Sequence, residues 1–556
     1  MKKVFALILC LIMMLSIVPL AQAEDEPIKL SVLMVRHTEG ENEASDLWIF
    51  KYLQHWLAQQ GHNVEFELEQ TYDQEERIAL MLATGSIPDI LWAVGLGNNN
   101  VVIYGAGEKM LLDWTPYLNK ETMPNLMAQF EQQPDAYAAS ICNDGAIYGL
   151  PYLTERNYPT ATATAPNAMR LWINQEWLDQ VNMEVPTTMD GFMDMLRAFK
   201  ANIKIEGKEV YPAMENAGFL RKYILSNLGF YGTTTYDGIT PMVKNKEIVV
   251  PAYTEEYKAY LTYLHTMYEE GLISPDFFTL DSTTVKGYIA DGVCGVIGDW
   301  TLSMKEGFEK WVHVKPAATE YCENPVATVG PTYQANRMFV SAETEHPEII
   351  AKMFDYLYSP EGSMYYYYGP MKDSDPLGLL PGWYFDENGQ MTAGNDETYT
   401  AYCKKYIYPQ QYAGYCAHLA LPEAHRLANV PREIRNFKVT DAVTGMVFDA
   451  PEAMVYTHDD VGGHWRLTVT EAYMNNATTV YLPAVYMTEE DALTAGDLKT
   501  VLAKHIESES AKFVVGTRSL DEFDQFTAEL EAMGVEEFQD IYVEAYSAYM
   551  NSIFGK

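Results

Sequence analysis

Short apolar runs and amphipathic stretches alternate near the start of this chain, and their order limits the folds that it can adopt. Leu30–Val35 and Ile87–Ala93 are apolar runs of strand length, and Val64–Leu68 alternates apolar and polar residues. Helix-like stretches separate these segments, around Leu47–Ala58 and from Ile78 to Ala83. This β-α-β-α-β order predicts an α/β fold rather than an all-β fold.

Capping signals predict further helices later in the chain. Thr187 to Asp190 forms a capping box ahead of apolar residues at helical spacing. Pro347 stands where the first helical position would fall, and Ser519 precedes a helix that Gly534 ends. A length of 556 residues is typical of two large domains or three smaller ones. No linker-like tract interrupts the composition, which indicates domains that interlock.

The N-terminus carries the pattern of an export signal. Lys2 and Lys3 precede an apolar run over residues 4–15, and a small-residue cleavage site ends at Ala23. A membrane anchor is the alternative, but Pro19 and the cleavage site interrupt the run before it reaches the ~20 residues that a span needs. We therefore predict a signal peptide over residues 1–23. The mature protein would be soluble and exported, either extracellular, at the cell surface or periplasmic.

Charge and cysteine content exclude several classes of protein. The chain has 38 basic and 77 acidic residues, a net charge of −39, so its surface repels phosphate backbones and a nucleic-acid partner is not expected. Of six cysteines, Cys10 lies in the signal, which leaves five, and at least one of these should be unpaired within the chain. No C-x-x-C motif is present, and we expect neither a bound metal nor a cofactor.

The motifs of common enzyme classes are missing. The chain contains no G-x-S-x-G, no H-E-x-x-H and no Walker loop. Carboxylates are so numerous that a glycosidase pair stays open as an alternative, although no pair stands out. The 40 tyrosines favour wet, aromatic-lined surfaces but do not identify a ligand.

Seven segments, in order along almost the whole mature chain, resemble bacterial extracellular solute-binding proteins of ABC importers. The resemblance is to the large oligosaccharide-binding branch that includes alginate-oligosaccharide binders. The segments are LATGSIPDILWA (82–93), AIYGLPY (146–152), LWINQEWLDQVNMEVPTTMDGFMDMLRAFK (171–200), YEEGLISPDFF (268–278), DGVCGVIGDW (291–300), EHPEIIAKMFDYLYSPEG (345–362) and KFVVGTRSLDEFDQFTAELEAMG (512–534).

This resemblance implies a two-lobe, type II periplasmic-binding-protein-like α/β fold with hinge crossings and an interlobe cleft that closes on ligand. We expect residues 24–150 and about 325–360 to form the N-terminal lobe. Residues 151–324 and about 361–556 would form the C-terminal lobe. The family's binding lobes carry no catalytic chemistry, so we do not expect an enzyme.

Candidate ligand-binding residues follow from the rule that ligands of open α/β sheets sit beyond the carboxyl ends of strands. Trp92 ends a strand-like run and should face the cleft, while the resemblance suggests a sugar-stacking role for Trp300. The other candidates, from segments that follow strands or resemble cleft-facing loops, are Glu39, Asn42, Tyr152, Arg156, Tyr333, Arg337 and Trp383.

We therefore predict an exported substrate-binding subunit of an ABC importer, monomeric, that binds an oligosaccharide and delivers it to membrane permease subunits. Aromatic rings would stack on sugar faces, and polar side chains would bond to hydroxyl groups. The alternatives are a binder of peptides or other small solutes on the same fold, a glycan-active enzyme, and a surface glycan-capture protein without a transporter.

One family property is not expected here. Many relatives bind calcium in an EF-hand-like loop after the helix that ends in Phe-Lys. In residues 201–209 of this chain, however, Ile203 and Ile205 stand where oxygen ligands are needed, and Lys204 and Lys208 add repelling charge. This segment predicts a small hairpin around Glu206-Gly207 that binds no metal.

Overall fold

The computed structural model describes residues 26–35, 47–71, 74–154, 171–215, 218–231, 236–298, 307–325, 327–328, 333–385, 391–393, 402, 406, 417–418, 438–440, 447–449, 477–478 and 485–554. The strands are β1 Ile28–Val35, β2 Val64–Thr71, β3 Ile90–Trp92, β4 Leu150–Thr154, β5 Leu171–Asn174, β6 Tyr211–Ala213, β7 Met242–Lys244, β8 Glu247–Val249, β9 Cys294–Gly298, β10 Trp311–His313, β11 Ala327–Thr328, β12 Tyr333–Val340, β13 Trp383–Phe385, β14 Met391–Ala393, β15 Ala417–His418, β16 Lys438–Thr440, β17 Val447–Asp449 and β18 Ala477–Thr478.

The α-helices are α1 Trp48–Gln59, α2 Gln74–Thr84, α3 Asn98–Val101, α4 Pro124–Gln132, α5 Pro134–Ala138, α6 Gln175–Val181, α7 Met189–Asn202, α8 Phe219–Asn227, α9 Glu255–Glu269, α10 Ser282–Ala290, α11 Pro347–Leu357, α12 Pro360–Tyr368, α13 Glu489–Val514, α14 Phe523–Ala532 and α15 Val535–Phe554. A π-helical turn, Val102–Gly107, extends α3, and short 3₁₀ turns cover Pro251–Tyr253, Phe308–Lys310 and Leu520–Glu522.

The sheet of the first lobe has the strand order β15-β4-β12-β3-β1-β2. β1 lies parallel to β2 and to β3, while β12 is antiparallel to both β3 and β4. The backbone N–H and the hydroxyl of Ser31 donate to the Asp89 carboxylate (2.9 and 2.7 Å), which joins β1 to the residues just before β3. The carboxyl ends of β1, β3 and β4 therefore lie at one edge, beside the amino end of β12.

Helices cover both faces of this sheet because its side chains alternate in direction. Leu30 and Val32 pack in a core with α1 and α11, whereas Leu33 packs on the other face with α2. The predicted end of α2 is confirmed, since Gly85 follows it with φ +68°, a left-handed conformation that glycine adopts without strain. The strands and helices expected in this region are thus present.

A second sheet, in the order β10-β5-β9-β6, forms the second lobe. β6 runs parallel to β9, and β5 is antiparallel to β9 and β10. The helix predicted from the capping box is present as α7, but its N-cap is Thr188 rather than Thr187. The Thr188 hydroxyl accepts a hydrogen bond from the Gly191 N–H (3.1 Å), and Met189 is the first helical residue.

The boundary expected near residue 360 is wrong, because the chain beyond it still packs in the first lobe. Tyr365, Tyr366, Met371 and Trp383 lie in the core of that lobe. The Tyr365 ring meets the ring of Tyr52 on α1 edge-on, with 4.8 Å between centroids. The first lobe therefore reaches at least to β13, and β4 extends it slightly past the expected boundary at residue 150.

The long helix α13 contacts both lobes. Its first turns pack against α3 and the π-helical turn of the first lobe, and its later turns pack against α9 and α15. The Glu489 carboxylate lies directly over Gly107, where a Cβ atom would come within 2.7 Å of it. Over the described residues, we find no helix long and apolar enough to cross a membrane.

Candidate functional site

Of the five predicted ligand-binding residues that the structure describes, four lie in strands at the edge of the first sheet where β1, β3 and β4 end. Tyr152 lies in β4, and Tyr333 and Arg337 lie in β12 at the same edge. Four candidates fall outside the described residues, namely Glu39, Asn42, Arg156 and Trp300. We call the described part of this edge, formed by residues 92–97, 152–153 and 333–337, the first-lobe wall.

The guanidinium group of Arg337 is held at this wall by an unusual backbone turn. Ala93 follows β3 with φ +54°, a conformation that costs an alanine about 1–2 kcal/mol. Its carbonyl oxygen accepts a hydrogen bond from Nη2 of Arg337 (3.0 Å). Gly95 makes room for the same group, because a Cβ atom there would lie 2.6 Å from Nη1. Strained backbone of this kind often occurs at functional sites. Here it orients the guanidinium group, which is always charged and can donate to hydroxyl or carboxylate oxygens.

The two tyrosines of the wall are largely buried. Tyr152 is 9 % exposed and lies opposite Gln334, and Tyr333 is 4 % exposed and lies opposite Leu153. Tyr333 and Arg337 were expected in a loop, but both belong to strand β12. The ring of Tyr333 therefore contributes to the first-lobe core, while Tyr152 offers only a narrow edge at the surface.

Trp92 and Trp383 are core residues, which corrects the expectation that they face the cleft. The Trp92 side chain is fully buried, its Nε1 donates to the Tyr366 hydroxyl (3.0 Å), and its ring packs 5.1 Å from that of Phe50. Strand alternation explains this, since Trp92 points to the same face as Ile90, which α1 and α11 cover. Trp383 is also fully buried, and its Nε1 donates to the Gly369 carbonyl (3.1 Å).

A buried polar network beside the wall was not predicted. Asn336, in β12, is 1 % exposed and has φ +58°. Its Nδ2 donates to Oδ1 of Asn98 (2.9 Å), and its Oδ1 accepts from the Tyr486 hydroxyl (3.1 Å). Asn98 in turn donates to the Val485 carbonyl (2.8 Å), so the network joins β12 to the segment that enters α13. The sequence contained one sign of this network, an asparagine within a strand-like run, because asparagine tolerates a positive φ better than most residues.

The segment after α7 forms the predicted tight turn. The Lys208 N–H donates to the Ile205 carbonyl (3.1 Å), Gly207 has φ +71°, and the Ile203 side chain is 3 % exposed. Across the described residues, no three His, Cys, Asp or Glu side chains are grouped so that they could hold a metal ion. The absence of calcium binding here stays a prediction.

The match to known proteins fits this two-lobe architecture. Residues 54–373 match the model of a family described as bacterial extracellular solute-binding protein. The chain belongs to this family. A curated relative, the fructooligosaccharide ABC transporter substrate-binding protein FusA of Streptococcus pneumoniae, is 23% identical over 488 residues, which cover 86% of this chain and 83% of FusA.

Solved structures share the fold over almost the whole chain. A human-milk-oligosaccharide (HMO) binding, ABC-transporter-associated solute-binding protein from Bifidobacterium longum infantis superposes with a TM-score of 0.73 at 19% identity, covering 94% of this chain and 99% of that protein. FusA in complex with kestose gives a TM-score of 0.70 at 19% identity, covering 94% and 100%. These matches confirm the predicted periplasmic-binding-protein-like fold.

Proposed function

We propose that this protein is the substrate-binding subunit of an ABC importer and that it binds an oligosaccharide between its two lobes. The protein would act outside the cytoplasm after removal of residues 1–23 and would pass its ligand to permease subunits in the membrane. It would carry out no reaction on the ligand.

The observation that carries this proposal is the match to FusA, a fructooligosaccharide ABC transporter substrate-binding protein, over most of the chain in both sequence and fold. Fold alone does not determine function, so the site has to supply a second argument. Arg337 gives that argument, because Ala93 and Gly95 fix its guanidinium at the edge where ligands of α/β sheets bind. A preorganised donor loses little entropy when it bonds to a sugar hydroxyl.

Binding of defined oligosaccharides to the mature protein tests the proposal. Calorimetry would use kestose as a neutral probe, a trigalacturonate as an anionic probe, and a tripeptide as the non-sugar probe. We expect saturable binding of at least one saccharide and none of the tripeptide. Arg337→Gln should weaken that binding about tenfold or more, since a hydrogen bond to a charged group contributes about 1.5–3 kcal/mol.

Arg77→Gln is the matched control. Arg77 lies on the first lobe and is paired with Glu69 at the surface (2.7 Å). This substitution should leave saccharide affinity unchanged. Binding of the tripeptide alone would favour the small-solute alternative, and release of shorter sugars from the probe would favour the glycan-active enzyme. An equal loss of affinity in both arginine variants would contradict the role of Arg337.

A further inference from the structure

The second lobe contains a cavity of about 630 Å³ between α9 and α13. This volume falls in the range of about 300–1,000 Å³ that is typical of small-molecule sites. The described residues that line it belong to the second lobe, so it is separate from the first-lobe wall. We call this cavity the Arg221 pocket, and the polar and aromatic residues that line it are Arg221, Tyr236, Asp237, Tyr257, Tyr260, Phe278, Glu507 and Ser510.

Arg221 supplies a positioned donor to this pocket. Its guanidinium carbon lies 3.9 Å from the centre of the Tyr236 ring, and its Nε lies 3.5 Å from the carboxylate of Glu215, which is 4 % exposed. Within the described part of the chain, its two terminal nitrogens donate to no other residue. The rings of Tyr236 and, at 5.5 Å, Phe277 flank the guanidinium, and Glu215 lies beside its Nε. The two terminal nitrogens are therefore the part of Arg221 left to bond to a ligand.

Tyr260 supplies a second unused group. Its side chain is 3 % exposed, it lines the cavity, and its hydroxyl has no hydrogen-bond partner among the described residues. Burial raises the pKa of this hydroxyl, so it stays protonated and can both donate and accept. The neighbouring Tyr257 hydroxyl, in contrast, is paired with Ser510 (3.0 Å). Because the Tyr260 side chain opens onto the cavity, a ligand or a water molecule there can bond to its hydroxyl.

Charge selects among possible ligands. Asp237 and Glu507 are exposed and line the pocket, so they oppose the entry of an anion that Arg221 alone would attract. A neutral polyol suits both the positive and the negative groups of the pocket, because its hydroxyl groups can accept hydrogen bonds from the guanidinium and donate them to the carboxylates. The tyrosine rings supply apolar faces of the kind that pack against sugar C–H groups.

We propose that the Arg221 pocket is a second saccharide site that holds a neutral sugar unit, apart from the first-lobe wall. The proposal rests on the proposed function only in that both sites take the same class of ligand. A second site in one lobe can hold a saccharide while the lobes are open, because it requires no contact with the other lobe.

Hydrogen–deuterium exchange of the mature protein tests the pocket with kestose and trigalacturonate as probes. Kestose should protect residues 255–264, on α9, in the wild type and in Arg337→Gln. In Tyr260→Phe and in Arg221→Gln, the same protection should require a kestose concentration about tenfold higher or more. Trigalacturonate should not protect these residues. Tyr223→Phe is the matched control, because its buried hydroxyl donates to the Lys315 carbonyl and does not line the cavity.

The outcomes separate the two proposals. If kestose protects residues 333–340 but not residues 255–264, the second site is wrong and the proposed function stands. If residues 255–264 are protected in Tyr260→Phe and Arg221→Gln as strongly as in the wild type, the pocket residues are wrongly assigned. Should Arg221→Gln fold poorly because Glu215 loses its partner, Tyr260→Phe alone decides. If neither probe protects any segment, both proposals fail for these saccharides.

Discussion

A buried arginine in the turn between α13 and α14 should contribute far more to stability than an exposed arginine with the same number of ionic hydrogen bonds. Arg518 donates three such bonds, one to Glu509 (2.7 Å) and two to Glu529 (both 3.0 Å). Its side chain is 8 % exposed. Lys512 and His505 also contact these carboxylates, and we call the five residues the Arg518 cluster. Replacement of Arg518 by methionine keeps an unbranched aliphatic stem but removes the guanidinium group and its charge.

The expected loss follows from burial. The Glu509 side chain is 10 % exposed, so without Arg518 a carboxylate stays in a site poorly hydrated by water. Removal of one partner of a buried ion pair costs about 3–5 kcal/mol. Two features reduce this penalty. Lys512 stays 2.6 Å from Glu509, and the side chain of Glu529 is 31 % exposed to water. We therefore expect the low end, about 3 kcal/mol.

Arg197 provides the control, because it also donates three bonds, two to Glu270 and one to Asp194. Its side chain is 43 % exposed, and exposed ion pairs contribute less than about 1 kcal/mol. Native-state hydrogen exchange over residues 489–554 would measure the opening free energy of the C-terminal helices. Arg518→Met should speed exchange about 100-fold there, whereas Arg197→Met, followed over α7, should change it less than about fivefold. Equal effects of the two variants would refute the argument from burial.

Four further outcomes are expected. Although burial acts to raise the pKa of Glu509, hydrogen bonds from Lys512 and Arg518 hold it below its ordinary range, and hydrogen bonds from Arg518 and His505 lower the pKa of Glu529. This stabilisation is complete above about pH 4.3 and is lost as the pH falls through the folded pKa values. Urea midpoints from pH 7 to 3 should therefore fall less steeply in Arg518→Met. Trp92→Phe should lower the unfolding midpoint but leave saccharide affinity intact, and a large loss of affinity without loss of stability would return Trp92 to the binding site. Burial raises the pKa of the Cys142 thiol to about 11 and that of Cys294 to about 12, so neither should react with a disulfide reagent in the native protein at pH 8, and fast labelling of either would contradict its burial. Thermal melts in excess calcium and in excess chelator should coincide, and a chelator effect that Glu206→Ala abolishes would overturn the prediction for residues 201–209.

The sequence was sufficient for the fold because its information is local and repeated. A short apolar run predicted β1, alternation predicted β2, helical spacing predicted α2, and a proline at the first helical position predicted α11. The predicted lobe boundary near residue 360 was wrong for the opposite reason. Nothing local marks Tyr365 or Trp383 as belonging to the first core, since their partners are distant residues such as Tyr52.

The candidate site was only partly predictable. The strand-end rule found the edge that contains Arg337 but not the direction of a side chain at that edge. Trp92 ends a strand as expected, yet the alternation of the strand turns its ring into the core. Asn336 was missed because an asparagine in a strand-like run is only a weak sign of its positive φ. Tyr260 was missed because the hydrogen bonding of a hydroxyl leaves no pattern in one sequence.

The position of α13 has a consequence for how the lobes can move. An α-helix of 26 residues is about 39 Å long and cannot bend sharply without breaking its own hydrogen bonds. Any rotation of one lobe against the other therefore leaves α13 rigidly attached to one of them and displaces its contact with the other. The π-helical turn suits such displacement because it meets α13 at Gly107, which has no side chain and over whose backbone the Glu489 carboxylate of α13 lies. We expect the lobes to rotate about this contact. The opening between them would then widen on the side away from α13, and a long chain-like ligand would enter from that side.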